Sequence, residues 1–178
     1  MKHVHNLADA NLDKSSIVTI GAFDGVHRGH QHLVAQQVRL ARASGALAVV
    51  LTFFPPPDAV IRGQRGPFYL TTSEERAGLL AELGIDVVVT HPFDEEVRRT
   101  CAADFVGQLL RHLRMRALWV GSGFALGYKR EGDVPFLTAQ GRTRGFEVRV
   151  VNLMQTPEGE VVRSAAIREV LRRGDVER

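Results

Sequence analysis

The sequence has few of the residues that mark disulfide-linked, zinc-clustered or membrane-spanning proteins. Cys101 is the one cysteine among 178 residues, which excludes an internal disulfide bond and a cysteine-rich zinc site. No apolar run approaches the roughly 20 residues that cross a bilayer. Residues 1–6 lack the basic and then apolar pattern of a signal peptide. We therefore expect a cytoplasmic protein with no membrane partner.

Lysine is also scarce, although basic residues are not. Of the 23 basic residues only Lys2, Lys14 and Lys129 are lysines, and the net charge against 20 acidic residues is +3. This excess is too small to indicate nucleic acid, and we expect no nucleic-acid partner. The Gly-x-x-x-x-Gly-Lys-Ser/Thr pattern is absent, which excludes a P-loop. Arginine can bind two phosphate oxygens at once through its planar set of N–H donors, so the possibility of a small anionic ligand remains open.

The order of predicted elements indicates the fold class. Hydrophobic residues make up 44% of the chain, enough for one domain over residues 1–178. Apolar runs predict five strands, at residues 17–20, 47–54, 86–90, 117–121 and 146–153. Periodic segments predict five helices. The first ends near residue 44, the second begins at the capping box of residues 72–75, and the others span residues 104–116, 134–140 and 165–173. A hairpin is possible at residues 155–162. Such alternation predicts a single Rossmann-like, doubly wound parallel sheet with helices on both faces, which binds ligands beyond the carboxyl ends of its strands.

The most informative segment is a His-x-Gly-His pattern between the first strand and the first helix. A helix N-terminus attracts phosphate, and His27 and His30, three residues apart, can both donate to one anion. Gly21, Gly25 and Gly29 would let a ligand approach the backbone closely. Two other interpretations remain open: a pair of histidines without a ligand, and a zinc site, for which no convincing third and fourth ligands lie nearby.

At this point the sequence resembles a known family. Residues 19–31, TIGAFDGVHRGHQ, are similar to the signature of the FAD synthetase (FMN adenylyltransferase) module of prokaryotic riboflavin kinase/FAD synthetases, in the nucleotidylyltransferase superfamily. Further motifs of that module follow in order, at residues 51–57, 93–94, 103–106, 120–133 and 164–168. The resemblance runs from about residue 18 to residue 177. It implies the nucleotidylyltransferase fold.

Four residues depart from the family pattern. Gly123 and Leu126 stand in the third motif where an Asp or Asn and an aromatic residue are common. Arg163 and Ala165 stand in the last motif where the family has Ser and Thr. These departures leave two alternatives open: a nucleotidylyltransferase for another phosphorylated acceptor, and a nucleotide-binding protein without turnover. A Gly-rich stretch at residues 121–127 only approximates the dinucleotide-binding pattern and weakly suggests an oxidoreductase.

The resemblance implies a reaction and a set of site residues. AMP passes from ATP to FMN in the presence of Mg²⁺, which yields FAD and pyrophosphate without a covalent enzyme intermediate. The implied catalytic residues are His27, His30 and Arg168; the ATP-binding residues are Gly21, Phe23, Asp24, Gly29 and Ser164; the flavin-binding residues are Phe54, Pro55, Pro57, Phe124 and Arg130; no residue is assigned as a metal ligand.

Simpler roles remain open for several of these residues. Asp24 could help to position Mg²⁺ or merely begin the helix. Ser164 could be an ordinary N-cap and Arg168 a surface arginine, while Pro55 and Pro57 could simply end a strand. A riboflavin kinase domain usually follows this module, so we expect residues 1–178 not to phosphorylate riboflavin.

Overall fold

A parallel sheet with helices on both faces forms the body of the molecule. The computed structural model describes residues 1–61, 63, 69–151 and 164–174. Its strands are β1 (Lys2–Val4), β2 (Ser16–Ile20), β3 (Leu47–Phe53), β4 (Val87–His91), β5 (Met115–Gly121), β6 (Ala125–Leu126), β7 (Gly132–Asp133) and β8 (Glu147–Val151). Its α-helices are α1 (Arg28–Ala43), α2 (Pro57–Ile61), α3 (Ser73–Glu82), α4 (Glu95–Arg99), α5 (Ala102–Leu113), α6 (Val134–Arg144) and α7 (Ser164–Arg172).

Six strands join in the order β1-β4-β3-β2-β5-β8, and each neighbouring pair is parallel. The predicted α/β fold class is therefore confirmed. From β2 the chain adds β3 and β4 on one side of the sheet and β5 and β8 on the other side. Doubly wound sheets bind ligands at such a switch in strand order, beyond the carboxyl ends of the strands.

Alternating side chains of the central strands form two apolar cores. Successive residues of a strand point to opposite faces, so Ile17 and Val18 of β2 enter different clusters. Ile17 packs in the cluster that contains Val34 of α1 and Leu80 of α3. Val18 packs in the cluster that contains Leu109 of α5, on the other face. The two cores stabilise the sheet from both faces and thereby fix the strand ends from which the loops at its carboxyl edge begin.

The structure differs from the sequence predictions at element ends and in short elements that the sequence did not predict, which are β1, α2, α4, β6 and β7. Strand β1 falls in a segment too polar to predict, yet it pairs with β4 from Lys2 to Val4. Helix α5 ends at Leu113 rather than near residue 116, because Arg114 adopts a left-handed conformation with φ of 45°. Strand β5 consequently begins at Met115, two residues earlier than predicted. The possible hairpin at 155–162 and the end of the last predicted strand, 152–153, lie outside the described residues.

A small hairpin covers the carboxyl edge near β5. Strands β6 and β7 are antiparallel, and Gly127 between them has φ of +78°. A Cβ atom on Gly127 would lie 2.6 Å from the backbone nitrogen of Ala102, so only glycine fits there. Glu131 fixes the same contact, since its Oε1 accepts a hydrogen bond of 2.7 Å from the Ala102 N–H. The hairpin is thereby docked on the start of α5.

Candidate active site

The turn between β2 and α1 brings two histidine rings together. A short 3₁₀ helix (Asp24–Val26) follows Phe23, and α1 begins directly after His27, with Gly29 as its second residue. The rings of His27 and His30 stack with centroids 3.6 Å apart and planes 20° apart, and the Phe23 ring lies 4.8 Å from that of His30. The Nδ1 atoms of both histidines are buried and have no hydrogen-bond partner within the described part of the chain. The hydrogen-bonding capacity of both atoms is therefore unsatisfied, which is costly for buried polar atoms.

Burial keeps these imidazoles neutral. Burial, together with smaller effects of the neighbouring His27 and the Arg76 guanidinium, lowers the pKa of His30 to about 3. Burial also lowers the pKa of His27, although the Asp24 carboxylate partly opposes this effect. At neutral pH each ring therefore carries one N–H that can donate to a phosphate oxygen.

The Asp24 carboxylate is buried in a network rather than open to the solvent. Its Oδ1 accepts hydrogen bonds from the backbone N–H groups of Leu70 at 2.9 Å and Thr71 at 3.1 Å. Its Oδ2 accepts a 2.7 Å bond from Arg168, and the Arg76 guanidinium lies 3.5 Å from Oδ1. Asp24 thus connects the histidine turn to the segment before α3 and to α7.

Arg76 is a part of this site that sequence reasoning missed. Its side chain is 1% exposed and donates to the Thr52 hydroxyl at 3.3 Å and to the Thr71 carbonyl at 3.2 Å. No sequence signal distinguishes it, because its partners come from β3, from the β2–α1 turn and from the start of its own helix. Burying an arginine is costly unless its charge is paired, and Asp24 supplies the pairing.

Helix α7 contacts the histidine turn directly. The Ser164 hydroxyl donates to the Asp24 carbonyl at 2.9 Å, and Arg168, one turn further on, binds the Asp24 carboxylate. Ser164 is the first residue of α7, close to its predicted position as the N-cap. Ala165 is exposed, and Arg163 lies outside the described residues. The two predicted anion-binding segments, around residues 27–30 and 164–168, therefore meet through Asp24.

A cavity of about 400 Å³ opens beside the histidine turn at the carboxyl edge of the sheet. Three aromatic rings form one wall: Phe53 lies 5.5 Å from Phe93 and 6.2 Å from Phe105. Gly21, Pro57, Phe124 and Arg130 of the predicted site line the cavity too. Phe53, Phe93 and Phe105 had no assigned role from the sequence, although all three lie in motifs that carry the resemblance, at residues 51–57, 93–94 and 103–106.

The cavity does not include every predicted flavin-binding residue. Phe54 is 42% exposed, and its ring packs 5.6 Å from that of Tyr69, away from the cavity. Neither Phe54 nor Pro55 lines the cavity. The reason is the alternation along β3 and just beyond it, which turns Phe53 inward and Phe54 outward. Gly123 and Leu126, two of the departures from the family pattern, both line the cavity.

The Asp24 carboxylate, in the turn that precedes His27, is unsuited to holding Mg²⁺. Both Asp24 oxygens already bind N–H groups, and two arginines lie within 3.5 Å of them. Within the described residues, no three His, Cys, Asp or Glu side chains are grouped to hold a metal ion. A cation that keeps most of its ligands from substrate phosphates and water would not need such a group.

Comparison with known proteins decides the family. The family model for FAD synthetase matches residues 9–166. The chain belongs to the FAD synthetase family. The resemblance of its motifs to this family is thereby confirmed. The family match also supports the expected reaction, which transfers AMP from ATP to FMN and forms FAD.

Two relatives illustrate the match. The bifunctional riboflavin kinase/FMN adenylyltransferase of Escherichia coli K12 is 35% identical over 173 residues, which cover 96% of this chain and 54% of that protein. A protein of Geobacillus thermodenitrificans, provisionally named for the same two activities, is 38% identical and is covered to 92%. The chain thus spans about half of the first relative and nearly all of the second.

Solved structures agree on the fold. A macrolide-efflux protein from Streptococcus pneumoniae superimposes with a TM-score of 0.81 at 22% identity, over 99% of this chain and 58% of that one. Pantoate-beta-alanine ligase from Francisella tularensis superimposes with a TM-score of 0.58 at 14% identity, over the whole of this chain and 82% of that one. At these identities the likeness concerns the fold alone. No helix in the described ranges is long and apolar enough to cross a membrane.

Proposed function

We propose that this chain transfers AMP from ATP to FMN, with His27, His30 and Arg168 as the catalytic residues. The single observation that supports this most is the stacked histidine pair at the start of α1, with two buried, unpartnered Nδ1 atoms. Unpaired buried polar atoms are costly, so they favour a ligand that satisfies them. A phosphate group at a helix N-terminus does so.

The reaction is an in-line displacement. An oxygen of the FMN phosphate forms a new bond to the α-phosphorus of ATP, and the bond from that phosphorus to the bridging oxygen of the β-phosphate breaks. Pyrophosphate leaves with the bonding electron pair. Because the attacking oxygen is already ionised, no general base is required. The protein's task is to position the two phosphates and to stabilise charge on the phosphoryl oxygens.

The site residues divide this task among them. The imidazole N–H groups of His27 and His30 donate to the triphosphate, while Phe23 fixes the ring of His30. Ser164 and Arg168 at the N-terminus of α7 face the departing pyrophosphate. Gly21 and Gly29 allow the nucleotide to approach the backbone. Mg²⁺ enters on the ATP phosphates as part of the substrate, since the Asp24 carboxylate is occupied by arginines and backbone N–H groups.

The aromatic cavity takes the flavin. Phe53, Phe93 and Phe124 line the cavity with apolar aromatic rings against which an isoalloxazine ring can pack, and Arg130 adds a charge at the rim. Pro57 completes the wall. This proposal replaces Phe54 and Pro55, the outward-facing residues of the predicted set, by Phe53 and Phe93.

The test is product analysis with histidine variants. The protein is incubated with ATP, Mg²⁺ and FMN, and FAD and pyrophosphate are followed by chromatography. His27→Ala and His30→Ala should each lower kcat by about 100-fold or more, the usual cost of removing a donor to a developing oxyanion. Unchanged turnover in both variants would contradict the proposed roles. Pyrophosphate release only with another phosphorylated acceptor would favour the alternative that Gly123 and Leu126 suggest.

A further inference from the structure

One carboxylate joins the histidine turn to helix α7. The Asp24 side chain is 4% exposed, and both of its oxygens have partners: Leu70 and Thr71 on Oδ1, Arg168 on Oδ2. A phosphate would be repelled by this carboxylate, and a cation would have to displace Arg168 from it. Direct contact between Asp24 and a substrate is therefore unfavourable, although Asp24 lies beside the catalytic turn.

Arg76 holds this carboxylate from the interior. Its buried guanidinium is fixed by the Thr52 hydroxyl and the Thr71 carbonyl, and it lies 3.5 Å from the Asp24 Oδ1. A guanidinium and a carboxylate that neutralise each other away from water hold one geometry, because separating them would leave a buried charge unpaired. Asp24 is consequently a rigid support.

The partner of Asp24 that remains accessible to a ligand is Arg168. This side chain is 31% exposed, whereas that of Arg76 is 1% exposed. A guanidinium has five N–H donors, and the 2.7 Å bond to Asp24 uses one of them. The bond therefore orients the planar guanidinium of Arg168 and leaves its other N–H groups available to bind an anion.

We infer that Asp24 is a positioning residue, which fixes the Arg168 guanidinium for the triphosphate and is itself held by Arg76. The inference deepens the proposed function and rests on it, because Arg168 is taken to bind the ATP phosphates. It replaces the expected roles of Asp24 as an ATP or Mg²⁺ contact. The backbone carbonyl of Asp24 has a second role, since it accepts the Ser164 hydroxyl and ties the start of α7 to the turn.

A double-mutant cycle tests whether Asp24 acts through Arg168. Asp24→Asn, Arg168→Ala and the double variant are assayed for kcat and for KM of ATP. Asp24→Asn should lower kcat/KM for ATP by about 30-fold, in the range for removing one partner of a buried charge pair. In the Arg168→Ala background the same change should cost less than about threefold, because its target is gone. Equal losses in both backgrounds would overturn the inference.

Two further outcomes exclude other roles. If raised Mg²⁺ restored the activity of Asp24→Asn, Asp24 would be a metal contact and the inference would be wrong. Arg173→Ala is the matched control, because Arg173 directly follows the last residue of α7 and is exposed, with Glu169 as its ion-pair partner. It should leave kcat/KM unchanged. A loss equal to that of Asp24→Asn would show a general effect of charge at the end of α7 and would also overturn the inference.

A second variant covers the case in which Asp24→Asn does not fold. Thr52→Val keeps the carboxylate but removes a hydrogen-bond partner of Arg76. It should lower kcat/KM for ATP by about threefold, and this loss should disappear when Arg168 is alanine. Without that coupling the inference fails.

The failure of the inference can be told apart from failure of the proposed function. The same cycle is measured calorimetrically with a non-hydrolysable ATP analogue and no FMN. Coupled losses of analogue affinity in a protein that forms no FAD would support the positioning role and contradict only the proposed reaction. FAD formation with additive losses would contradict only the positioning role.

Discussion

At the scale of single residues, the histidine pair has a consequence for stability in acid. The pKa of His30 lies near 3 in the folded chain and at its ordinary value of 6.5 in the unfolded chain. As the pH falls below 6.5, the unfolded chain therefore binds a proton that the folded chain does not. Stability from this source is complete above pH 6.5 and decreases as the pH falls toward 3.

The variant His30→Asn isolates this effect. Between pH 7.5 and pH 5, the free energy of unfolding of the unaltered protein should fall by about 2 kcal/mol more than that of the variant. Urea unfolding at the two pH values measures the difference. The same change at His32, exposed on the same helix, is the matched control. Equal pH dependence in the protein and in His30→Asn would show that burial does not depress the pKa of His30.

The residues that could be predicted from sequence were those that a local pattern carries. His27 and His30 stand out because of their spacing at the start of a helix. Arg76 could not be predicted, because its burial depends on partners from distant segments. Phe53 and Phe54 show the same limit, since consecutive aromatic residues at the end of a strand give no sequence signal for which ring faces the cavity.

At the scale of elements, the cavity wall makes a prediction for the flavin. Phe124→Ala should raise KM for FMN by about tenfold, because it removes an aromatic face from the cavity. Phe54→Ala should leave KM for FMN unchanged, since the Phe54 ring packs against Tyr69 outside the cavity. Steady-state kinetics with varied FMN measures both. A larger effect at position 54 than at 124 would place the flavin elsewhere.

The β6–β7 hairpin makes a second prediction, for stability. Gly127→Ala should lower the free energy of unfolding by about 2–4 kcal/mol, because the residue has positive φ and its new Cβ would overlap the backbone of Ala102. Gly123→Ala is the control in the same cavity wall, since a Cβ there meets nothing within 4 Å. Chemical denaturation compares them. Equal stability of the two variants would contradict the close contact between the hairpin and α5.

Element types were more predictable than element ends. The capping box of Thr72 and Glu75 is present in the structure, because its two hydrogen bonds form within four consecutive residues. Strand β1 was missed, because its three residues are stabilised by pairing with residues of β4 that lie 85 positions later, rather than by their own pattern. The early end of α5 depends on a left-handed arginine that no propensity favours.

At the scale of the whole molecule, the alternation of strands and helices was sufficient to predict the doubly wound sheet. The sheet order then explains why the site forms where it does. Strand β2 lies at the centre, and the turn that follows it carries the histidine pair, while the ends of β3 and β5 lead into the cavity wall. The topology therefore brings the starts of α1 and α7, which we propose to bind phosphate, and an aromatic cavity to one edge of the sheet.

The most direct test of this account is the amount of each product formed from ATP and FMN. The account predicts one FAD and one pyrophosphate for each ATP consumed, with turnover abolished or reduced about 100-fold in His27→Ala and His30→Ala. Binding of ATP without any product, or pyrophosphate release that does not require FMN, would contradict it.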